Sequence, residues 1–516
     1  MENLSNVRAL STLIAWLAIA TIILLNLVQK FTRSAKLESS TIPLLNRPNW
    51  YDIGGIRARL AFVLNARELL LRGAESGRPF RLLTDMGELI VLPAEYGKEI
   101  RNDTRLSFGE VIEQNFHAQL PGFEGFRQGT ADARLTRDIA NKQLTHSLAS
   151  VTQALSEEAE TALQALFPDS KEWSDVLLRE KVLQLVARLS SRVFLGDEGA
   201  RSQSWLQITT EYTKTAYIAA YILRLWPPVL RPLVHWVLPP CRKLRGQVAQ
   251  ARRIIVKIIE QRRKIGEISK AAREPIAQYN DTIAWFEQDS LEKDSQYDPV
   301  VAQLIFAQAA IETTADLLTQ VILDIAKNPD LFEQLRSEVN REIDKGGWTK
   351  SSLHNMKLLD SVLKESQRLK PLAMTSMHRL VLEDVVLSDG LVLPKGGVIA
   401  VSGDRMWSTA VYEDPDCFQG DRFYKTRMEG GTLGNQAYFV STGIDHLAFG
   451  YGKHACAGRF FVAHEVKIAM SHMLLNYDWR IASHSSSDAN PVQFGLTMMA
   501  NSKAQISIRS RAHKGG

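Results

Sequence analysis

The chain has 516 residues, of which 45% are hydrophobic and 23% charged, a balance that excludes a disordered or collagen-like protein. The net charge of +5 is small and no long block of like charges occurs, so we expect no nucleic-acid partner. The three cysteines (Cys241, Cys417 and Cys456) lie far apart. This excludes a disulfide framework and a structural zinc site, and it predicts a reducing compartment.

The first predicted element is a membrane anchor with a basic flank, residues 1–36. Residues 9–29 carry no charge and are long enough for the helix of about 20 residues that spans a bilayer. Lys30, Arg33 and Lys36 follow this stretch, and a basic flank favours the cytosolic side of the membrane. The sequence therefore predicts a single-pass anchor with the rest of the chain in the cytosol. A buried helix is the alternative.

A linker is predicted after the anchor, at residues 37–50. Pro43 and Pro48 stop a helix there and stiffen the chain. The catalytic domain is accordingly predicted to span 51–516.

A second apolar segment, residues 220–240, has a different character. It contains Arg224, Arg231 and several prolines, which exclude a membrane-spanning helix. Trp226 and Trp236 favour a segment that lies in the headgroup zone of a membrane. A buried helix–loop–helix explains the same pattern equally well, and the sequence leaves both interpretations open.

The body of the chain is predicted to be mainly helical. Residues 171–194 have the spacing of one amphipathic helix. Residues 301–328 are apolar almost all round, which is typical of a long helix buried in the middle of a domain. Residues 381–402 alternate between apolar and polar and contain Asp389-Gly390, a hairpin signal. The predicted fold class is mainly α with a smaller β portion.

The segment FGYGKHACAG, residues 449–458, surrounds one cysteine with glycines. The thiolate of Cys456 is a soft ligand that is able to hold haem iron. Gly450, Gly452 and Gly458 permit the tight turns that aim backbone N–H groups at the sulfur. A helix beginning directly after the cysteine would point its positive end at the thiolate.

This segment resembles the haem-binding loop of the cytochrome P-450 superfamily, FxxGxxxCxG, at Phe449, Gly452, Cys456 and Gly458. The resemblance implies the cytochrome P-450 fold, preceded here by an N-terminal transmembrane helix. It also implies haem b (iron protoporphyrin IX) as cofactor, with Cys456 as the axial ligand of the iron. His454 would then lie near a haem propionate or a redox partner.

A second motif of that family is ExxR, which KESQR resembles at Glu365 and Arg368. Taken alone, this pair at i and i+3 is typical of a surface ion pair. The resemblance instead implies a structural pair behind the haem, with Arg422 of FQGDRF as the third member. Gly420 departs from the family there, because proline is usual.

The oxygen-activation motif is represented by AAIETT, which places Glu312 and Thr313 inside an otherwise apolar helix. A threonine in mid-helix usually bonds back to the preceding turn, but a buried carboxylate is expensive without a partner. The resemblance implies that Thr313 organises water and Glu312 feeds protons. Ala310 replaces the usual glycine, and Arg379, on a predicted strand, would contact a haem propionate.

The resemblance implies a monooxygenase, and HLAFGYGKHACAGRFF, QYNDTIAWFEQD and YDWR are most similar to fungal secondary-metabolism members. The expected substrate is a terpenoid or indole-alkaloid intermediate, in a membrane protein of the endoplasmic reticulum. No flavin or NADPH motif is present, so a separate NADPH-cytochrome P-450 reductase must supply electrons. Lys142, Lys453 and Arg459 are its predicted contacts. The alternative is a haem-thiolate isomerase or dehydratase, or a haem-binding protein without monooxygenase activity.

Three segments are predicted to line the substrate pocket: residues 116–126, residues 306–313 and residues 495–501. The last contains Met498 and Met499, which pack adaptably. All three segments are apolar, and an apolar small molecule is therefore the expected substrate.

Overall fold

The computed structural model describes residues 42–52, 55–127, 131–275, 277–293 and 296–511. The predicted anchor at 1–36 lies outside these residues, and so does the beginning of the predicted linker. Within the described ranges, no helix combines the length and the apolar character that crossing a bilayer requires. Residues 42–46 of the linker pack along the first strand, where the Arg81 N–H donates to the Pro43 carbonyl at 2.7 Å.

Helices form most of the described chain. They are α1 (Ile56–Ala74), α2 (Gly97–Ile100), α3 (Phe108–Phe116), α4 (Ala131–Ile139), α5 (Leu148–Leu166), α6 (Leu178–Phe194), α7 (Gly196–Arg201), α8 (Gln203–Arg224), α9 (Arg231–Val234), α10 (Pro239–Ala272), α11 (Thr282–Lys293), α12 (Pro299–Ala326), α13 (Pro329–Gly346), α14 (Lys350–Asn355), α15 (Lys357–Leu369), α16 (Arg422–Glu429), α17 (Gly431–Gln436) and α18 (Arg459–Asn476). A π-helical turn, Ala140–Leu144, follows α4.

The strands form small sheets at the side of the helical body. They are β1 (Phe80–Thr84), β2 (Gly87–Leu92), β3 (Leu106–Ser107), β4 (Ser174–Leu177), β5 (Thr375–Val381), β6 (Val385–Val386), β7 (Val392–Leu393), β8 (Val398–Ser402), β9 (Tyr477–Ile481), β10 (Val492–Phe494), β11 (Thr497–Met499) and β12 (Gln505–Ser510). The largest sheet has the order β1-β2-β8-β5-β3, with β2 and β8 parallel and the other neighbours antiparallel. The predominance of helix over strand confirms the predicted fold class.

Helix α12 lies at the centre of the main hydrophobic core. Asp298 caps its first turn by accepting from the N–H groups of Val300 and Val301, and Pro299 occupies the first helical position. The helix packs against α6, α8, α15 and α18, which explains why it is apolar almost all round. The prediction of a long buried helix that ends before Asn328-Pro329 is confirmed.

The prediction of a single helix over residues 171–194 is wrong for residues 171–177. Residues Ser174–Leu177 form β4, which pairs antiparallel with β12, and α6 begins only at Leu178. Hydrogen bonds from a strand more than 300 residues away thus override the local helical spacing, which the sequence around residue 174 does not reveal. The Asp389-Gly390 signal is confirmed, since the hairpin β6–β7 turns there.

The segment 220–240 takes the form of helix–loop–helix, but most of its apolar side chains after Leu223 are exposed. It contains the end of α8, a short turn at Pro228–Leu230, helix α9 and the start of α10. Its exposed residues are Leu225, Trp226, Val229, Leu233, Trp236 and Val237. The buried alternative is therefore wrong for these side chains.

Candidate active site

The loop around Cys456 is built from two tight turns. The Gly450 N–H donates to the Leu447 carbonyl at 2.8 Å, and the Cys456 N–H returns to the Phe449 carbonyl at 2.8 Å. Gly452 has φ +77°, and a Cβ at this position would come within 2.5 Å of the Arg101 Cβ. The motif glycine at 452 is therefore required by both backbone conformation and packing.

The sulfur of Cys456 lies where a metal-bound thiolate would be stabilised. The backbone N–H groups of Gly458 and Arg459 bond to it, while burial raises the pKa of the thiol and outweighs them. The Cys456 side chain is nevertheless exposed, so its free surface faces a cleft enclosed by protein. A thiolate in such a dry setting needs a cation beside it, and haem iron supplies one.

A cluster of cationic side chains lies beside this loop. Arg379 on β5 is buried, its Nη1 donates to the His378 carbonyl at 2.7 Å, and no carboxylate of the described residues pairs with it. Burial lowers its pKa to about 10. Arg137 on α4 approaches the Nδ1 of His454 at 3.4 Å. Burial and the charges of Arg379, Arg137 and Lys453 lower the pKa of His454 to about 4.

This cluster fits the two carboxylates of haem b. A buried arginine without an acidic partner is costly, and an anionic ligand removes the cost. Arg379 and His454 were predicted from the sequence, and the structure brings them together. Arg137 was missed, because a single arginine on an amphipathic helix is typical of a solvated face. Its position in the sequence does not indicate a contact with the cysteine loop, and only the fold brings Arg137 to His454.

Two further predicted residues of the loop, Gly458 and Phe449, leave room for a flat group beside the cysteine. A Cβ at Gly458 would meet no protein atom within 4 Å, so the surface beside the sulfur is open. The ring of Phe449 packs edge-on against Phe439 with centroids 5.1 Å apart. The residues present therefore fit haem b: one thiolate, an open face and a cationic rim.

The structure brings Glu365, Arg368 and Arg422 together in a fully enclosed position. The Nε and Nη2 atoms of Arg368 donate to the two Glu365 oxygens at 2.8 Å each, and Arg422 Nε donates to Oε1 at 3.1 Å. Glu365 and Arg368 have no exposed surface. The surface-ion-pair alternative is therefore wrong. Arg368 also donates to the carbonyls of Met406 and Pro415, which ties α15 to the segment before α16.

The departure from the family at Gly420 has a packing reason. A Cβ there would lie 2.6 Å from Cδ2 of Leu331 and 3.2 Å from Cγ2 of Val362. Any larger residue, proline included, would force Leu331 at the start of α13 to move. Glycine at position 420 thus allows this segment to pack closely against α13 and α15.

On α12, the two predicted residues Glu312 and Thr313 have different surroundings. Ala309 and Thr313 are exposed in the middle of an otherwise buried helix, so this one stretch of α12 is accessible. The Thr313 hydroxyl donates to the Ala309 carbonyl at 2.8 Å, so its oxygen is free to accept. Glu312 forms an ion pair of 2.8 Å with Arg179 of α6. The helix runs through Ala310 without interruption.

Two of the three predicted pocket segments share the main core, and the third contacts α12 through a hydrogen bond from the Ala500 N–H to Asp316 at 2.7 Å. The rings of Phe116 and Phe126 stack at 4.2 Å in the main core. Phe306 on α12 is buried in the same core, against Phe194. Met498 was expected to line the pocket. It is buried instead in a separate cluster with Phe62, because β11 lies against α1 and the large sheet.

Comparisons with known proteins agree with this geometry. The family model described as Cytochrome P-450 matches residues 96–508. Cytochrome P-450 monooxygenase 1 of Gibberella fujikuroi is 46% identical over 84% of this chain and 98% of its own length. Cytochrome P-450 monooxygenase hepE of Aspergillus oryzae is 44% identical over 86% of this chain and 81% of its own length.

A solved structure shares the fold at low sequence identity. It is the retinoic acid bound cyanobacterial CYP120A1, with a TM-score of 0.63 and 16% identity, covering 92% of this chain and 99% of that one. The match of the family model over most of the chain and the fungal relatives establish the family. With Cys456 in a cleft rimmed by cationic side chains, this chain belongs to the cytochrome P-450 family and is a haem-dependent monooxygenase.

Proposed function

We propose that this monooxygenase inserts one oxygen atom from O₂ into an apolar intermediate of fungal secondary metabolism, a terpenoid or an indole alkaloid. The observation that carries the proposal is that Cys456 and Thr313 are both exposed although their neighbours pack against the main hydrophobic core. Bound through a cysteine thiolate, haem supplies the oxygen activation and the cleavage of the O–O bond. The fungal origin of the most similar relatives and their names as monooxygenases support the assignment.

The chain's own contribution begins with the thiolate. The N–H groups of Gly458 and Arg459 hold the sulfur of Cys456 and favour its charged form. Arg379 and Arg137 orient the cofactor by binding its carboxylates. Ala310, Phe449 and Ala457 pack against the main hydrophobic core, which limits the entry of bulk water.

On the distal side, Thr313 is proposed to hold a water molecule. Its hydroxyl hydrogen points to the Ala309 carbonyl, so the oxygen is able to accept from water while the helix keeps its bond. Glu312 lies next to it and is paired with Arg179, of which about a fifth is exposed. We assign to this ion pair the transfer of protons between the outside and the cleft.

Electrons are proposed to come from NADPH through a separate NADPH-cytochrome P-450 reductase. Lys142 and Lys453 are exposed, and Arg459 donates from Nη1 to the Cys456 carbonyl at 2.8 Å. These cations lie on the segments that flank the cysteine, where an acidic surface of the reductase would shorten the path to the iron.

We also propose that the protein is anchored in the endoplasmic reticulum by residues 1–36, with 37–50 as linker and 51–516 as the cytosolic catalytic domain. The exposed apolar residues of segment 220–240 support a second contact with the membrane, since 84% of Leu225 is accessible. Deletion of 1–36 should make the protein extractable by alkaline carbonate. Replacing Leu225, Val229 and Leu233 by Ser in that deletion should weaken its remaining binding to vesicles.

The function is tested with microsomes that contain this protein and a reductase. Candidate terpenoid and indole metabolites are added with NADPH under ¹⁸O₂, and products are analysed by mass spectrometry. One ¹⁸O atom per product supports oxygen insertion. Turnover that needs neither NADPH nor O₂ would favour an isomerase or dehydratase and contradict the proposal.

A further inference from the structure

Three polar side chains form a strip along one face of α8. The strip lies beside the buried rings of Phe116 and Phe126, which we call the aromatic wall. Tyr217, Tyr221 and Arg224 lie at positions i, i+4 and i+7, and they therefore share this face. Tyr217 packs edge-on against Phe116 and Phe126, with ring centroids 4.8 and 6.3 Å away.

The free surface of Tyr217 faces a recess and not the outside. The side chain is 41% exposed although the rings it touches are buried. Burial raises the pKa of its phenol, and the charges of Glu312 and Arg224 both act on it. Tyr217 is therefore near enough to both Glu312 of α12 and Arg224 for their charges to act on its phenol. No described residue accepts or donates a hydrogen bond at its hydroxyl.

The loop that carries Phe126 closes this recess against α12. The Gly125 N–H donates to the Tyr212 hydroxyl of α8 at 3.0 Å, and that hydroxyl donates to the Gly122 carbonyl at 2.9 Å. A Cβ on Gly125 would lie 3.3 Å from the Leu304 carbonyl of α12. The loop is thus held between α8 and α12, and Tyr217 of the strip packs against Phe126 of this loop.

Arg224 has donors without acceptors at the end of this strip. Its Nη2 donates to the Asn115 carbonyl at 3.2 Å, and its guanidinium stacks over Tyr221 with the centroid 4.6 Å away. Nε and Nη1 are buried and have no acceptor in hydrogen-bond geometry among the described residues, although the Tyr221 phenol and the charge of Asp85 raise the pKa of the guanidinium against the effect of burial. The Nε2 of His117, at the end of α3, is also buried without a partner among the described residues.

Other acids near Arg224 are already engaged. The Tyr221 hydroxyl donates to Asp85, and the charge of this carboxylate also acts on Arg224, but no ion pair within 4.0 Å joins the two in the described chain. Burial and the charges of Arg231 and Arg224 lower the pKa of His117 to about 4, so its ring is neutral at pH 7. A buried guanidinium with two free N–H groups is costly unless a ligand supplies an acceptor.

We propose that Arg224 and Tyr217 hold an oxygen acceptor, a carbonyl or carboxylate, on an otherwise apolar substrate. This inference rests on the proposed function, because it assumes that the substrate lies between α8 and α12. The aromatic wall binds the hydrocarbon skeleton, and the polar strip fixes which end of it points away from Thr313. Arg224 is a residue that determines substrate class and orientation.

The test measures binding to the ferric haem protein by optical titration, which needs no turnover. Farnesoic acid, farnesal and farnesene share one C15 skeleton and carry a carboxylate, a carbonyl or no oxygen. We expect the wild type to bind the acid and the aldehyde at least tenfold more tightly than the hydrocarbon. Arg224→Met should reduce that preference below threefold and leave the affinity for farnesene unchanged.

The matched control is Arg231→Met, which removes a nearby arginine whose Nε donates to the Trp226 carbonyl. It should keep the tenfold preference. The proposal is overturned if the wild type binds farnesoic acid and farnesene equally tightly. It is also overturned if Arg224→Met and Arg231→Met lose the preference for the acid to the same extent. If Arg224→Met takes up no haem, Tyr217→Phe decides the question: it should lower the preference about threefold, and an unchanged preference refutes it.

Failure of the proposed function gives a different result. A protein that lacks NADPH- and O₂-dependent turnover still shows the acceptor preference if the strip binds as described. Conversely, a working monooxygenase with no acceptor preference refutes the strip alone. A stronger preference for the acid than for the aldehyde assigns the ligand group to a carboxylate, and equal preference assigns it to a carbonyl.

Discussion

Replacement of Glu365 by Ala removes the acidic centre of a buried cluster of two arginines. Three guanidinium donors, two from Arg368 and one from Arg422, bond to its carboxylate, and the Gln419 N–H donates to Oε1 at 3.1 Å. Arg368 is 0% exposed and Arg422 is 9% exposed, so both charges remain in the interior after the substitution.

The expected cost follows from this geometry. Removing one partner of a buried ion pair destabilises a protein by about 3–5 kcal/mol, because the remaining charge is left uncompensated. The entropy of unfolding of a 516-residue chain is about 1 kcal/mol/K, from about 2 cal/mol/K per residue. We therefore expect the midpoint of thermal unfolding to fall by about 3–5 °C. Haem should be lost more readily, since the cluster supports the segment before the cysteine loop.

The assay is calorimetry of the ferric haem protein, together with the long-wavelength CO band of the reduced protein. Glu287→Ala is the matched control: its ion pair with Arg263 spans 3.4 Å and is mostly exposed, so its loss should cost about 0–1 kcal/mol. An unfolding midpoint for Glu365→Ala within 1 °C of the control, with a full CO band, would refute the reasoning.

Further predictions concern the thiolate, the distal threonine, the cationic rim and pH. Cys456→Ser should abolish the long-wavelength CO band and activity; an unchanged band would contradict the ligand assignment. Thr313→Ala should divert NADPH consumption to peroxide, measured as the peroxide-to-product ratio, whereas tight coupling would argue against a proton role. Arg137→Ala should speed haem loss to apomyoglobin, and Arg134→Ala, exposed on the same helix, should not. Burial raises the pKa of Glu465 to about 8, so stability should fall as pH rises from about 4.5 to 8, and Glu465→Gln should flatten this decline in urea titrations.

The direction in which pH changes the stability follows from the number of protons that Glu465 binds in the folded and in the unfolded state. Between its unfolded and folded pKa values, the folded state keeps a proton that the unfolded state has lost, so raising the pH favours unfolding. The Ser190 hydroxyl donates to Oε1 at 2.7 Å, and Oε2 has no hydrogen-bond partner among the described residues. A glutamine preserves this arrangement without the charge. A slope equal to that of the wild type would contradict the assignment.

Local sequence was sufficient where one short segment specifies both conformation and chemistry. The turns around Cys456 depend on Gly450 and Gly452, both at positive φ, and this requirement is visible in the sequence. The long helix α12 is equally predictable, because its apolar residues, its capping Asp298 and the following Pro329 agree.

Local sequence was insufficient where distant segments decide the outcome. Residue 174 lies in a helical pattern but pairs with β12. Segment 220–240 has the composition of either a buried or a surface element, and only the packing of α8 and α10 leaves Leu225 and Trp236 exposed. Arg137 has no distinguishing neighbours in the sequence, yet the fold places it against His454.

The sequence by itself determined the tight turns of the cysteine loop, the order of the family motifs and the predominance of helix, because each depends on residue types at short spacing. Tertiary structure alone decided how completely Glu365 and Arg368 are enclosed, that Arg137 and Arg379 lie beside the cysteine loop without an acidic partner among the described residues, and that Nε and Nη1 of Arg224 are buried. The physical reason is that burial and charge pairing depend on segments far apart in the chain. No local pattern therefore encodes which polar group is left without a hydrogen-bond partner.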